Sequence, residues 1–293
     1  MTLIFPLPGN EKLASQLSAE LDVPLGIVET RRFPDGETYI RLASDVSGKD
    51  IIFVCTLARP DDQCLRLLFA ARAARESGAK SLTLVAPYLA YMRQDMRFHP
   101  GEAVTSNHFA ALISGEFDRL ITIDPHLHRH HALREIYTIP AIALHTTSLL
   151  IEWITQNVRH PYIIGPDIES EQWMKDVAES IHAPFVVLQK QRRGDRNVKI
   201  AIPDLKDSQG HTMVLIDDIV ASGRTMIEAA EGLLKKGNAK PVCVVVHPLF
   251  ANDAFVKLSH LSAMIASTDT VPHASNKIAV ASLLAQAIRD SLA

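Results

Sequence analysis

Short apolar runs alternate along the chain with amphipathic stretches, and the two periods read as strands and helices in turn. Ile51 to Val54 predicts a strand, the stretch from about Asp61 to Ser77 a helix, and Leu82 to Ala86 the next strand. This alternation predicts parallel sheets with helices on both faces, an α/β fold. The clearest stretch is Thr212 to Gly237. Met213, Val214, Leu215 and Ile216 form an unbroken apolar run, as an interior parallel strand buried on both faces requires. The helix that follows carries Met226, Ala229, Ala230, Leu233 and Leu234 on one face. Between strand and helix lie Asp217, Asp218 and the segment Ala221-Ser222-Gly223-Arg224-Thr225.

In an open α/β sheet, ligands bind at the carboxyl edge of the strands, where this acidic pair falls. Gly223 permits backbone conformations closed to other residues, and Ser222 and Thr225 add hydroxyls. The free N–H groups at the start of the following helix point back at this loop and make an anion site. A phosphate cradled there, beside two carboxylates that accept bonds from vicinal ribose hydroxyls or hold them through a divalent cation, suits a sugar phosphate. A capped helix start followed by a solvated turn is the plainer alternative.

ARESGAKSLTLVAPYL resembles LLKKGNAKPVCVVVHPLF, and aligning Lys80 with Lys240 gives an offset of 240 − 80 = 160. At that offset Asp217 and Asp218 fall over Leu57 and Ala58. The expectation is two similar domains, residues 1–145 and 146–293, with one sugar-phosphate site. The length of 293 residues also predicts two domains.

Net charge is −3, with no long block of Lys or Arg, which leaves nothing to attract nucleic acid or a lipid surface. Cys55, Cys64 and Cys243 are scattered through apolar segments and read as reduced thiols of a cytosolic protein. The start MTLIFPLPGN lacks a basic leader, and no run approaches the length of a membrane span. A soluble, cytoplasmic protein is expected.

Further stretches carry candidate chemistry. Arg32-Phe33-Pro34-Asp35-Gly36-Glu37 is an early turn whose P-D-G also fits an ordinary surface turn. Pro87 to Phe98 leaves a strand end with Arg93, Gln94 and Arg97, and arginines there can neutralise phosphates. Ile123-Asp124-Pro125-His126 opens a histidine-rich stretch without the pattern of a structural zinc site. His126 reads as a lone imidazole on a divalent cation held mainly by phosphate oxygens, and His128, His130 and His131 as solvated. Gly165-Pro166-Asp167 puts another carboxylate at a strand end. Lys190, Arg192 and Arg193 lead into a polar, glycine-containing segment that is either a mobile flap or a charged hairpin tip.

Taken together, R-F-x-D-G-E, P-Y-x-x-Y-x-R-Q-D, D-P-H, P-D, K-x-R and the D-D loop occur in an order that resembles the ribose-phosphate pyrophosphokinases, the phosphoribosyl-diphosphate synthetases, in their archaeal-type branch. The resemblance covers nearly the whole chain and implies two phosphoribosyltransferase-type domains. It assigns Phe33, Asp35 and Glu37 to adenine recognition in a neighbouring subunit's ATP site, and Arg93 and Gln94 to ATP in their own. His126 and Asp167 would bind Mg2+ with the nucleotide. Lys190 and Arg192 match the catalytic pair of a flap, and Asp217, Asp218, Ser222, Gly223 and Thr225 the ribose 5-phosphate site.

The implied reaction is diphosphoryl transfer from ATP to the anomeric hydroxyl of ribose 5-phosphate in a homo-oligomer. Ala221 and Arg224 in the loop, Glu169-Ser170 after P-D, and Met96 after R-Q-D depart from the family's usual residues. Glu169 is the departure that most bears on activity. A non-catalytic regulatory paralogue and a phosphoribosyltransferase are the competing functions. Retention of both flap cations favours the synthetase over the paralogue, and the separate ATP-type motifs favour it over the transferase.

Overall fold

The structure, a computed structural model, describes residues 1–127, 129–166, 171–193, 197–203, 205 and 208–292. The chain divides into two units, Met1–Leu144 with Val280–Ala293, and His145–Ala279.

The first unit runs β1 (Thr2–Pro6), α1 (Glu11–Leu21), β2 (Val28–Arg32), β3 (Thr38–Leu42), β4 (Asp50–Val54), α2 (Pro60–Glu76), β5 (Ser81–Ala86), α3 (Thr105–Glu116), β6 (Arg119–Ile123) and β7 (Ala141–Leu144). Its parallel sheet has the order β1-β4-β5-β6-β7, while β2 and β3 pair separately as an antiparallel hairpin. The apolar runs of β4 and β5 are buried almost end to end, as strands covered on both faces must be.

The second unit runs α4 (Thr147–Asn157), β8 (Pro161–Gly165), α5 (Glu171–Ser180), β9 (Phe185–Val187), β10 (Gln189–Arg193), β11 (Asn197–Ala201), β12 (Thr212–Val220), α6 (Arg224–Lys235), β13 (Val242–Pro248), α7 (Ala254–Leu261), β14 (Met264–Thr268) and β15 (Asn276–Ile278). Its parallel sheet reads β15-β14-β13-β12-β8-β9, and β10 and β11 form a second antiparallel hairpin. Met226, Ala229, Ala230 and Leu233 are buried on one face of α6, the spacing of an amphipathic helix on a sheet. They meet Met213, Leu215, Cys243 and Val245 in the core.

The repeat seen in the sequence extends to parts with little sequence likeness. β8, β12 and β13 take the places of β1, β4 and β5. Adding 160 to the pair Arg32↔Thr38 gives Arg192↔Val198, which is a pair of the second hairpin. Leu25 forms an isolated parallel bridge with Ile4, and 25 + 160 = 185 is the first residue of β9. The two hairpins are thus the same element in two copies of one fold.

One boundary differs from the expectation. A final helix, α8 (Ala281–Leu292), follows the second sheet in the chain but belongs to the first unit. Its face of Ala281, Leu284, Ala285 and Ile288 is buried, and it packs on α1, β6 and β7. Arg289 donates to the Glu20 carbonyl at 2.6 Å and Ser282 to the Glu20 carboxylate at 2.8 Å. The residues of 146–293 therefore do not all belong to one unit. Among the described residues no helix is long and apolar enough to cross a membrane.

Candidate active site

The carboxyl end of β12 carries the acidic pair, and here the structure corrects the sequence reading in one respect. Asp217 and Asp218 are on the strand itself, half-buried, not on the loop after it. β12 pairs with β8 only as far as Leu215↔Ile164, but with β13 as far as Val220↔Pro248. The strand outruns one neighbour and not the other. Its last residues stay extended along β13, and the aspartates emerge at that step in the sheet. Asp217 Oδ1 accepts from the Asp218 N–H at 3.0 Å, and Asp218 Oδ1 from the Ile219 N–H at 2.8 Å.

The chain then turns through Ala221 and Ser222 into Gly223, which has φ 67° at the N-cap of α6. A side chain at Gly223 would bring a Cβ to 3.1 Å from the Ala254 Cβ as well as straining the backbone. The Ser222 hydroxyl accepts from the Arg224 N–H at 3.4 Å, and the next N–H groups of α6 face the loop beside the exposed Ser222 and half-buried Thr225. Half a unit of positive charge at a helix start and these donors suit a phosphate.

In the first unit the equivalent strand end leads to Leu57 and Ala58, buried and half-buried, with no acid. Candidate chemistry sits one and two strands further along. Arg93 and Gln94 follow β5, and His126 follows β6. These strands are parallel neighbours, so both loops leave the same edge of the sheet. Met92 and Asp95 point inward, while Arg93 is exposed and Gln94 half-buried. Gln94 is fixed by Thr105, whose hydroxyl donates to its Oε1 at 3.3 Å, and its carbonyl accepts from the Ser106 N–H at 3.3 Å. Tyr91, just before, has φ 61°, a strained value for a bulky residue. Its phenol donates to Asp61, and burial with this bond raises the phenol's pKa.

Phe33, Asp35 and Glu37 lie at the exposed tip of the first hairpin. The Glu37 carbonyl accepts from the Phe33 N–H at 2.8 Å, and Gly36 supplies φ 94° in the turn. The Arg31 guanidinium lies 4.7 Å from the Phe33 ring centre and 4.5 Å from that of Tyr39. Phe33 remains 37% exposed, enough to offer its ring to a planar ligand. The turn is the surface turn that P-D-G implies, and its ring is presented rather than buried.

Lys190 and Arg192 are on β10, opposite Ile200 and Val198. Asp167 and Glu169 lie outside the described residues, so the pairing of Asp167 with His126 rests on sequence alone. Among the described residues no three His, Cys, Asp or Glu side chains come together to hold a metal. Cys55 and Cys243 are buried and Cys64 is half-buried. Burial pushes Cys64 up to about 11 and Cys243 up to about 12, which keeps both as thiols at neutral pH.

Sequence reasoning passed over Asp95, Arg129 and Arg31. Asp95 closes the R-Q-D motif and Arg129 lies in the histidine-rich stretch, but only the fold places their side chains 2.7 Å apart.

Comparison with known proteins fits this geometry. Residues 2–115 match the N-terminal domain of ribose phosphate pyrophosphokinase, and residues 132–261 match the phosphoribosyl transferase domain. The chain is 34% identical to the ribose-phosphate pyrophosphokinase of Methanopyrus kandleri, over 95% of this chain and 96% of that one. It is 32% identical to the enzyme of the same name from Methanothermobacter thermautotrophicus, over 98% and 100%. A phosphoribosylpyrophosphate synthetase from Mycobacterium smegmatis shares the fold with a TM-score of 0.87, at 23% identity over 99% of this chain and 98% of that one. Two copies of one α/β scaffold, matched along nearly their whole length by these relatives, make the chain a member of the ribose-phosphate pyrophosphokinase family.

Proposed function

We propose that the chain is a ribose-phosphate diphosphokinase, moving the diphosphoryl group of ATP to the anomeric hydroxyl of ribose 5-phosphate and releasing AMP and 5-phosphoribosyl 1-diphosphate. The observation that carries this reading is the asymmetry of two units built on one scaffold. The second has Asp217, Asp218 and the Gly223 loop where the first has Leu57 and Ala58, while the first carries Arg93, Gln94 and His126. One unit is equipped for a sugar phosphate and the other for a nucleotide.

In this reading Asp217 and Asp218 accept bonds from the ribose hydroxyls, and Ser222, Gly223, Thr225 and the start of α6 hold the 5-phosphate. Arg93 and Gln94 hold ATP within their own subunit. Phe33, Asp35 and Glu37 recognise adenine in a neighbouring subunit of a homo-oligomer, which the projecting hairpin tip supports. Mg2+, held by His126 and Asp167 with phosphate oxygens, would neutralise charge on the diphosphoryl group when bound. The anomeric oxygen attacks the β-phosphorus, the bond to the bridging oxygen breaks, and AMP leaves with the electron pair. The hydroxyl proton passes to water. Lys190 and Arg192, both cationic at neutral pH, offset the charge that builds on the transferred group and need not act as bases. A hairpin closing over the reactants would also exclude water. The reading is of a soluble, cytoplasmic enzyme.

Incubation with ATP and ribose 5-phosphate should yield AMP and the 1-diphosphate in equal amounts. Ribose 5-phosphate binding without AMP would mark a non-catalytic paralogue, and reaction of the 1-diphosphate with a nucleobase would mark a transferase.

The shared site has its own test. Phe33→Ala should weaken ATP binding, and mixing it with Lys190→Ala should return part of the activity once chains exchange, because one mixed site then contains both native residues. If exchange is demonstrated by mass and activity stays absent, the ring serves its own subunit.

A further inference from the structure

Asp95 has a side chain only 2% exposed, in a loop otherwise turned towards solvent at Arg93, Met96 and Arg97. A carboxylate buried in such a place is costly unless it is paired. Arg129 is that partner, its Nη1 donating to Asp95 Oδ1 at 2.7 Å. The same guanidinium lies 5.6 Å from the ring centre of Phe98. One side chain thus grips both Asp95 and Phe98, from the loop that follows β6 and carries His126.

The segment between is anchored at its other end as well. Tyr91 donates to Asp61 at the first turn of α2, and Gln94 is bonded to Thr105 and Ser106 at the start of α3. Arg93 and Gln94 therefore stand on a short arch. One foot rests on two helices, and the other rests on the loop that carries His126.

We propose that Asp95 and Arg129 are a positioning pair, which fixes the nucleotide contacts of Arg93 and Gln94 relative to the imidazole of His126. This rests on the reading of those three residues as the ATP and cation contacts. Arg129 also neutralises a buried carboxylate beside the position assigned to the triphosphate, where an uncompensated negative charge would repel it. The pair acts on ATP and not on the sugar, because the ribose 5-phosphate groups belong to the other unit.

Steady-state kinetics on a set of variants tests this. Arg129→Gln and Asp95→Asn should each raise the KM for ATP by about tenfold or more, the scale of a misplaced contact. The KM for ribose 5-phosphate should stay within roughly twofold. Arg129→Lys, which keeps the charge, should recover most of the loss. The double variant Asp95→Asn with Arg129→Gln should be no worse than the worse single one, because both remove the same interaction. A merely structural role would lower the melting temperature and leave the two KM values in their parental ratio. Parental ATP KM in folded Arg129→Gln and Asp95→Asn overturns the proposal. Should neither variant fold, Asp95→Glu decides, since lengthening the acid shifts the arch; a parental ATP KM there overturns it equally. Arg93→Ala separates the two levels. A raised ATP KM in Arg93→Ala with parental values in the pair variants sinks the pair alone, whereas a parental value in Arg93→Ala removes the underlying assignment and the proposal with it.

Discussion

Lys190→Ala is expected to lower kcat by at least about 10²-fold, the scale for losing one fixed donor of charge to a transition state. KM for both substrates should change far less, because the cation's work is done as charge shifts to the diphosphoryl group and not while the substrates bind. The fold should be unaffected. Lys190 enters the structure through the backbone ladder of β10 and β11, opposite Ile200, and truncating a side chain leaves that ladder intact. Rapid-quench measurement of AMP formation, with a melting curve on the same sample, decides the matter. A kcat within a few-fold of the parent would return Lys190 and Arg192 to the status of ordinary charges on a hairpin.

Asp217→Asn combined with Asp218→Asn should weaken ribose 5-phosphate binding by about 10²- to 10⁴-fold, given about 1.5–3 kcal/mol for each hydrogen bond to a charged group. The fold should again survive, for a reason visible in the strand. Each aspartate uses Oδ1 to accept from the N–H of the next residue, at 3.0 and 2.8 Å, and an asparagine Oδ1 can accept the same bond. What the substitution removes is the negative charge and the second acceptor. Calorimetry with ribose 5-phosphate and a parallel thermal scan check both halves. Unchanged affinity in the folded double variant would place the sugar elsewhere.

Much of the scaffold was legible because burial on both faces leaves a strong mark. The runs at Ile51 to Val54, Leu82 to Ala86 and Met213 to Ile216 became β4, β5 and β12. The repeat was legible for the same reason, since its matching residues are a helix end and an interior strand. The second pair of copies, the two hairpins, was not. Their shared register is fixed by backbone bonds, which ask little of the side chains. VETRR and QKQRR are free to differ, and one copy keeps an aromatic tip while the other carries the K-x-R. The acidic pair was found, but its place on the strand was not, because the length of β12 depends on where β8 stops. Asp95 and Arg129 were visible as residues, yet their contact is made by the adjacency of β5 and β6, which no local pattern encodes.

The return of α8 to the first unit sets the order in which the protein can be assembled. Domains commonly fold in the order in which they are made. Here the first sheet leaves the ribosome early but lacks the helix that packs on α1, β6 and β7 until residues 281–292 appear. Meanwhile residues 145–279 emerge with every strand of their own sheet. The second unit can therefore close before the first, and the first must wait for its last helix through the whole synthesis of the second. A ribosome stalled, or a protease cutting, just before Val280 would leave a finished second unit tethered to an unfinished first one.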